Sequence, residues 1–177
     1  MTESNIFGLY GAGGFAREVM PFARIFAAMQ GAEAFFVETK PTASRINGMR
    51  VLSEDEFLAM ECNQRFFNIA IADSKFRAAL AQRCLDKDAD PLELRAPNTT
   101  FYDDNEIAEG AIFCGNTTVT SNAKIGKFFH ANIYSYVAHD CVIGDYVTLA
   151  PNVHCNGNVH IGNHAYIGTG AIIRHGL

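Results

Sequence analysis

The sequence predicts a small α/β domain built on a parallel sheet, followed by a parallel β-helix. Three observations carry that prediction. Apolar residues recur at every sixth position from Ile107 to Ile173, namely Ile107, Phe113, Val119, Ile125, Ala131, Val137, Ile143, Leu149, Cys155, Ile161, Ile167 and Ile173. With 49% of residues hydrophobic, twelve such hits in any of six phases arise by chance about once in 10³. Before this stretch, short apolar runs alternate with segments of helical spacing, the pattern of a parallel α/β sheet. Between the two stands a turn signal, Ala96-Pro97-Asn98, which divides the chain into an expected first domain at 1–97 and a second at 98–177.

In order, Ile6 to Tyr10 reads as a first strand that ends in the glycine turn Gly11-Ala12-Gly13-Gly14. Phe15, Val19, Phe22, Ala23 and Ile25 or Phe26 then recur at helical spacing. Ala34 to Val37 makes a second strand ending at Glu38, and Thr39 to Arg50, with Pro41, Ser44, Asn47 and Gly48, reads as a loop. Ser53 followed by Glu54, Asp55 and Glu56 starts a short helix to about Met60, because a serine cap and early acids both complement the positive end of the helix dipole. Arg65 to Ala72 is a third buried strand, Asp73 or Ser74 caps a helix through about Leu85, and Pro91 to Arg95 is a candidate fourth strand.

In the repeats a second inward position falls four places after the first: Ala111, Thr117, Ala123, Ser135, Cys141, Val147, Val153, Val159, Ala165 and Ala171, with Phe129 the bulky exception. The place directly after the apolar residue is often Gly or Asn (Gly126, Asn132, Gly144, Asn156, Gly162, Gly168). These residues tolerate the positive φ that a tight corner demands. A single hexad buries nothing, whereas stacked coils hydrogen-bond above and below and merge their apolar residues into one core. Spacing leaves the hand of the winding open.

The net charge of −5, from 14 basic and 19 acidic residues, argues against a nucleic-acid partner, so anionic ligands must be met by local groups. Five cysteines (Cys62, Cys84, Cys114, Cys141, Cys155) lack CxxC spacing, and Cys141 and Cys155 fall on inward repeat positions. Free thiols used as small hydrophobes point to a reducing, cytoplasmic setting. No basic residue precedes Arg17, as a signal peptide would need, and no apolar run approaches the roughly 18 residues of a membrane span.

A glycine turn between a first strand and its helix lets backbone approach a phosphate, and the helix start adds unpaired N–H groups and partial positive charge. The stretch GAGGFARE is not GxGxxG, since the sixth position from Gly11 is Ala16, and the domain is too small for a full dinucleotide fold. On spacing alone the turn is either a phosphate cradle or a plain tight turn. Glu38, at the end of the second strand, stands where an acid meets a ribose hydroxyl or a base edge, or is an ordinary solvated acid. Six histidines lie between His130 and His175. His139, two places after Val137, points outward with Asp140 beside it, which suits a general base oriented by a carboxylate as well as a solvated surface histidine. His154, His160 and His164 are spaced by six and four, which does not match the closely spaced zinc ligands of gamma-class carbonic anhydrases, and no metal is expected.

The segments YGAGGFAREV, FFVE and IAIAD, followed by repeats carrying VAHDCVIGDYVTLAPNVHCNGNVHIGNHAYIGTGA, resemble the bacterial sugar acyltransferases of the PglD and NeuD type over the whole chain. That resemblance implies a Rossmann-like domain that binds a nucleotide-linked amino sugar, joined to a left-handed β-helix of hexapeptide repeats. It implies a homotrimer with acetyl-CoA bound between subunits and no metal. The activity implied is acetyl transfer from acetyl-CoA to the amino group of a nucleotide-activated deoxy-sugar in surface-glycan synthesis. O-acetylation of a sugar such as sialic acid, or an inactive trimeric scaffold, are the alternatives. The family signature is met by His139-Asp140-Cys141-Val142-Ile143-Gly144, with Asp140 where several relatives have Glu, so His139 and Asp140 are the implied catalytic pair. Carried over in the same way, Gly11, Gly13, Gly14 and Phe15 meet the nucleotide sugar, with Glu38 and Thr39 at base or ribose and Ala72 after the third strand. Thr148, Gly157 and Thr169 lie along the acetyl-CoA path. Thr39 replaces the usual second acid and Ala72 the usual glycine, while the repeats run to Leu177 without the family's closing G-x-P-A-R-like segment, so C-terminal coils are expected to be lacking.

Overall fold

In the computed structural model residues 4–177 are described. They fall into two compact units, one formed by the chain up to Ile71 with Ala79–Leu92, the other by Ala72–Ala78 with Glu93–Leu177. The array's strand pairs already begin at Leu94–Arg95, a few residues before the turn at Pro97.

The first unit is organised around β1 (Asn5–Tyr10), whose residues from Ile6 onward are all buried. It pairs in parallel with β2 (Ala32–Glu38) on one side and with β5 (Arg65–Ile69) on the other. The 16-residue helix α1 (Gly14–Met29) connects β1 to β2 and buries Ala16, Val19, Met20, Ala23 and Ala27, a stripe at helical spacing, while Ile25 stays half exposed. Gly8 has a packing reason: a Cβ there would lie 2.7 Å from the Phe57 ring, so glycine lets that ring rest on the central strand. Phe57 belongs to α2 (Glu54–Ala59), whose start at Ser53 forms a full capping box with Glu56.

The segment from Thr39 to Arg50 is not only loop. It contains β3 (Arg45–Ile46), antiparallel to β4 (Met49–Ser53), and β4 in turn pairs in parallel with β2. The hairpin turn uses Asn47 and Gly48, both at positive φ, and the two-residue strand before it is too short to show the apolar alternation that marks a strand in sequence. Likewise, Pro91 to Arg95 is not one strand. Asp90–Pro91 (β6) closes the first sheet beside β5, while Leu94–Arg95 pairs with Ile112–Phe113 in the array. The first sheet therefore runs β3-β4-β2-β1-β5-β6. The strand order reverses at β1, which the chain flanks first with β2 and then with β5, so the carboxyl ends of β1 and β5 stand at the switch point where open α/β sheets bind ligands.

The second unit is a hexapeptide-repeat β-helix. From Leu94–Arg95 to Ile172–Ile173 it consists of two-residue strands at six-residue intervals, each paired in parallel with the strand eighteen residues away. Three hexads thus make one coil, and every third strand joins the same one of three sheets. Both inward registers are buried as expected from Ala111 through Ile161, with Ile107, Ala165, Ile167 and Ile173 partly buried against the same core. The inward hydroxyls are satisfied: Thr117 donates to the Cys114 carbonyl and Ser135 to the Ala150 carbonyl, each at 2.9 Å.

The corners differ from the sequence reading. Positive φ occurs three places after each inward apolar residue, at Asp104, Gly110, Asn116, Asn122, Phe128, Tyr134, Asp140, Tyr146, Asn152, Asn158, His164, Gly170 and Gly176. It does not occur at the following glycines. Gly126 and Gly144 are instead glycine because a Cβ would collide with the next coil at Asp145 and Asn163. There the carboxylate and amide oxygens accept the backbone N–H groups of Lys127 and Asp145, each at 2.8 Å. Non-glycine residues hold the left-handed corners because the coil below compensates the strain. The Phe128, Tyr146 and His164 N–H groups donate to carbonyls nineteen residues back, and their rings stack as a ladder, Phe128 on Tyr146 at 5.6 Å and Tyr146 on His164 at 5.2 Å between centroids.

The first coil hides its register. Arg95 occupies the inward phase, and its guanidinium lies 3.9 Å above the Phe101 ring centroid while pairing with Glu93. The cation covers the end of the apolar core without giving up its charge partner.

Candidate active site

His139 lies where a strand (Tyr136–Val137) turns through a corner toward the next (Val142–Ile143). The left-handed Asp140, at φ 59°, swings its carboxylate back so that Oδ2 is 2.7 Å from His139 Nδ1. An aspartate tolerates this backbone region better than most residues. Asn122, at the same corner one coil below, donates its amide to Asp140 Oδ1 at 3.2 Å. These two hydrogen bonds, first from His139 and then from Asn122, hold the Asp140 carboxyl below the ordinary carboxylate range. A carboxylate only accepts, so Nδ1 carries the proton and Nε2 presents its lone pair. Both side chains stay about half exposed, 52% and 45%. Cys141, next in sequence, anchors the pair by burying its thiol, which donates to the Asn156 carbonyl at 3.1 Å.

Of the residues expected on the acetyl-CoA path, Gly157 is the one in contact with this pair: a Cβ on it would sit 2.6 Å from His139 Cε1 and Nε2. Thr169 is exposed on the array. Thr148 is only 3% exposed, and its hydroxyl accepts from Arg77 Nη2 at 3.1 Å. Arg77, in the first turn of α3 (Ser74–Leu85), also donates to the Tyr146 carbonyl at 2.6 Å and the Ala72 carbonyl at 3.2 Å. Burial brings the Arg77 pKa down to about 10. Thr148 therefore serves the packing of its own unit.

Three other histidines lie on other parts of the array. His154 stacks on Tyr136 at 4.9 Å, His164 ends the aromatic ladder, and His130 is buried. Among the described residues, no group of three or more His, Cys, Asp or Glu could hold a metal ion. Sequence reasoning missed Asn122, Asn158 and His175. The signal was there in the period, because residues eighteen and thirty-six apart share a corner once three hexads close a coil.

In the first unit, Gly11 is glycine for backbone reasons, with φ 99° and a virtual Cβ 3.1 Å from Ile71. Gly13 and Gly14 are different: neither has positive φ, both are exposed, and a Cβ on either would meet nothing within 4 Å. Gly13 is the N-cap of α1, with no side-chain cap and no acid in the first turn. The start of a sixteen-residue helix thus has neither a capping side chain nor an acidic residue to complement its dipole. Glu38 is half-buried at the end of β2, and Thr39 and Ala72 are exposed.

A parallel coil stack with an outward His–Asp pair at a corner, joined to a small α/β unit with a glycine turn after its first strand, is the architecture of a hexapeptide-repeat acyltransferase. The family described as PglD N-terminal domain matches residues 7–84, and that described as bacterial transferase hexapeptide (six repeats) matches residues 122–157. A GDP-perosamine N-acetyltransferase of Escherichia coli O157:H7 is 42% identical over 176 residues, which cover 98% of this chain and 80% of that protein. The structure of WeeI from Acinetobacter baumannii AYE superimposes with a TM-score of 0.91 at 47% identity, covering 97% of this chain and 81% of that one. The acetyltransferase domain of PglB from Neisseria gonorrhoeae FA1090, solved with acetyl coenzyme A, shares the fold with a TM-score of 0.88 at 23% identity, over 98% and 83% of the two chains. The chain belongs to this PglD-type family of bacterial sugar N-acetyltransferases.

Proposed function

We propose that the protein transfers acetyl from acetyl-CoA to the amino group of a nucleotide-linked amino-deoxy-sugar, acting in the cytoplasm in bacterial surface-glycan synthesis. The observation that carries this is the His139–Asp140 pair, tautomerically fixed at 2.7 Å, in a chain 42% identical over nearly its whole length to a GDP-perosamine N-acetyltransferase. The neutral amine attacks the thioester carbonyl, and its nitrogen becomes acidic as the C–N bond forms. His139 Nε2 takes that proton, the tetrahedral intermediate collapses with cleavage of the C–S bond, and the proton passes to the departing CoA thiolate. Asp140 orients the ring and stabilises the transient imidazolium.

GDP-perosamine is the first acceptor to test. The bare turn at Gly13 and Gly14 supports a diphosphate at the start of α1, where backbone N–H groups and the dipole meet an anion in an otherwise acidic chain. Glu38 and Thr39 follow β2 on the ribose or base side. The working form is a homotrimer with acetyl-CoA held along the array between subunits. Thiol release from acetyl-CoA with GDP-perosamine, a UDP-linked amino sugar and their hydroxyl counterparts tests the reading. Release with amino sugars alone is expected. Release only with hydroxyl sugars would make the enzyme an O-acetyltransferase, and release with none would leave a binding scaffold.

A further inference from the structure

Positions 139, 157 and 175 occupy the same place on three successive coils, and they read His, Gly, His. Adjacent strands stack about 4.8 Å apart, so backbone two coils away lies near 10 Å. Yet the rings of His139 and His175 approach to 5.9 Å between centroids, inclined at 46°. They meet because Gly157 between them has no side chain, and the His139 ring leans into the space that a Cβ would take. The backbone supports the same arrangement, since the Asn158 N–H donates to the His139 carbonyl at 2.9 Å. Asn158 also brings its amide within 3.5 Å of His175 Nε2. His139 is thus held at Nδ1 by Asp140 and faced by a second imidazole across the bare glycine.

We propose that His175 is a positioning residue for acetyl transfer: its ring packs against His139 across Gly157 and keeps Nε2 of the base aimed at the acceptor amine. This rests on the reading of His139 as the base. Without that neighbour the half-exposed His139 ring has an open side to swing into, and misplacement of a catalytic group by an ångström can lower turnover about 100-fold.

The experiment compares His175→Ala, His175→Phe and His139→Ala in steady-state turnover with acetyl-CoA and GDP-perosamine, with thermal melting as the fold control. His175→Ala should lower kcat about 10-fold or more with KM for both substrates within about twofold. His175→Phe keeps a ring and loses both nitrogens, and should recover most of that kcat. In ¹⁵N-resolved NMR, His139 should lose its single Nδ1–H tautomer in the alanine variant and regain it in the phenylalanine one. A kcat for His175→Ala within twofold of wild type, while His139→Ala is inactive, would overturn the role of His175 and leave the base untouched. A loss carried by the KM for acetyl-CoA would also overturn it, as would failure of Phe to restore turnover in a folded protein. An active His139→Ala variant would instead overturn the base itself.

Discussion

His139 gains its directionality from one hydrogen bond. With Nδ1 committed to Asp140, only Nε2 can accept a proton. His139→Ala should lower kcat by about 10²- to 10⁴-fold while leaving acetyl-CoA and sugar-nucleotide affinities intact, as steady-state kinetics beside calorimetry will read. Asp140→Asn should fall between wild type and that variant, because an amide can also present N–H to the ring and permit the wrong tautomer. Gly157→Ala separates catalysis from folding in a different way. The residue is not at positive φ, and the atoms a Cβ would strike belong to the His139 ring, which can rotate away. The melting temperature should change little while kcat falls by about 10-fold or more, and unchanged turnover would show that the ring position is immaterial. His139 and Asp140 were legible in sequence because register marked them as outward and the HDCVIG string completed the reading. Asn122 and His175 were not, because nothing within a hexad says which other hexads lie above and below it.

At the scale of elements, α2 and the glycine turn rest on opposite devices. The helix α2 is closed by chemistry at its start: Ser53 Oγ accepts from the Glu56 N–H at 3.2 Å and Glu56 Oε2 accepts from the Ser53 N–H at 2.7 Å. Ser53→Ala should cost about 1 kcal/mol in a denaturant titration. The Ser53 backbone N–H and then its hydroxyl hold the Glu56 carboxyl below its ordinary value. A carboxyl depressed by folding stabilises the fold above its unfolded pKa of about 4.3 and loses that contribution as pH falls through the folded value. The stability gap between wild type and Glu56→Gln should accordingly be open at neutral pH and close in acid. The start of α1 has no such side-chain closure, and in the proposed reading the diphosphate of the sugar nucleotide takes that place. Gly13→Val fits the existing backbone, since φ −72° and ψ −169° are extended and no atom lies within 4 Å of the new Cβ. The fold should survive while GDP-sugar affinity falls about tenfold or more, near 1.4 kcal/mol by calorimetry. Undiminished affinity would make the turn a plain turn. The capping box was readable from Ser53 and Glu56 alone, whereas the β3–β4 hairpin was not, because its two residue pairs carry no apolar alternation.

For the whole molecule, the proposed trimer draws on the array. The array's outward positions on one sheet, Thr100, Thr118, Tyr136, His154 and Ile172, carry no Asp, Glu, Lys or Arg at any coil. A flat face of that kind suits packing against copies of itself around a three-fold axis. Sedimentation equilibrium at micromolar concentration should return three times the monomer mass, and a monomer alone would remove the proposed intersubunit acetyl-CoA site.

By itself the sequence determined that a six-residue apolar period builds a stacked core, that a glycine turn follows the first strand, and that His139 and Asp140 point outward together. These are local facts, set by side-chain period and by residues adjacent in the chain. Tertiary structure decided the number of hexads per coil, and with it every neighbour eighteen or thirty-six residues away. It moved the left-handed corners from the glycines to residues such as Asp140 and Tyr146, because hydrogen bonds and stacked rings from the coil below offset backbone strain that single residues would avoid. It also placed Arg95 inside the apolar register, where the face of Phe101 and the Glu93 carboxylate together explain a charge, and brought His175 to His139 across a glycine whose reason lies in the coil beneath it.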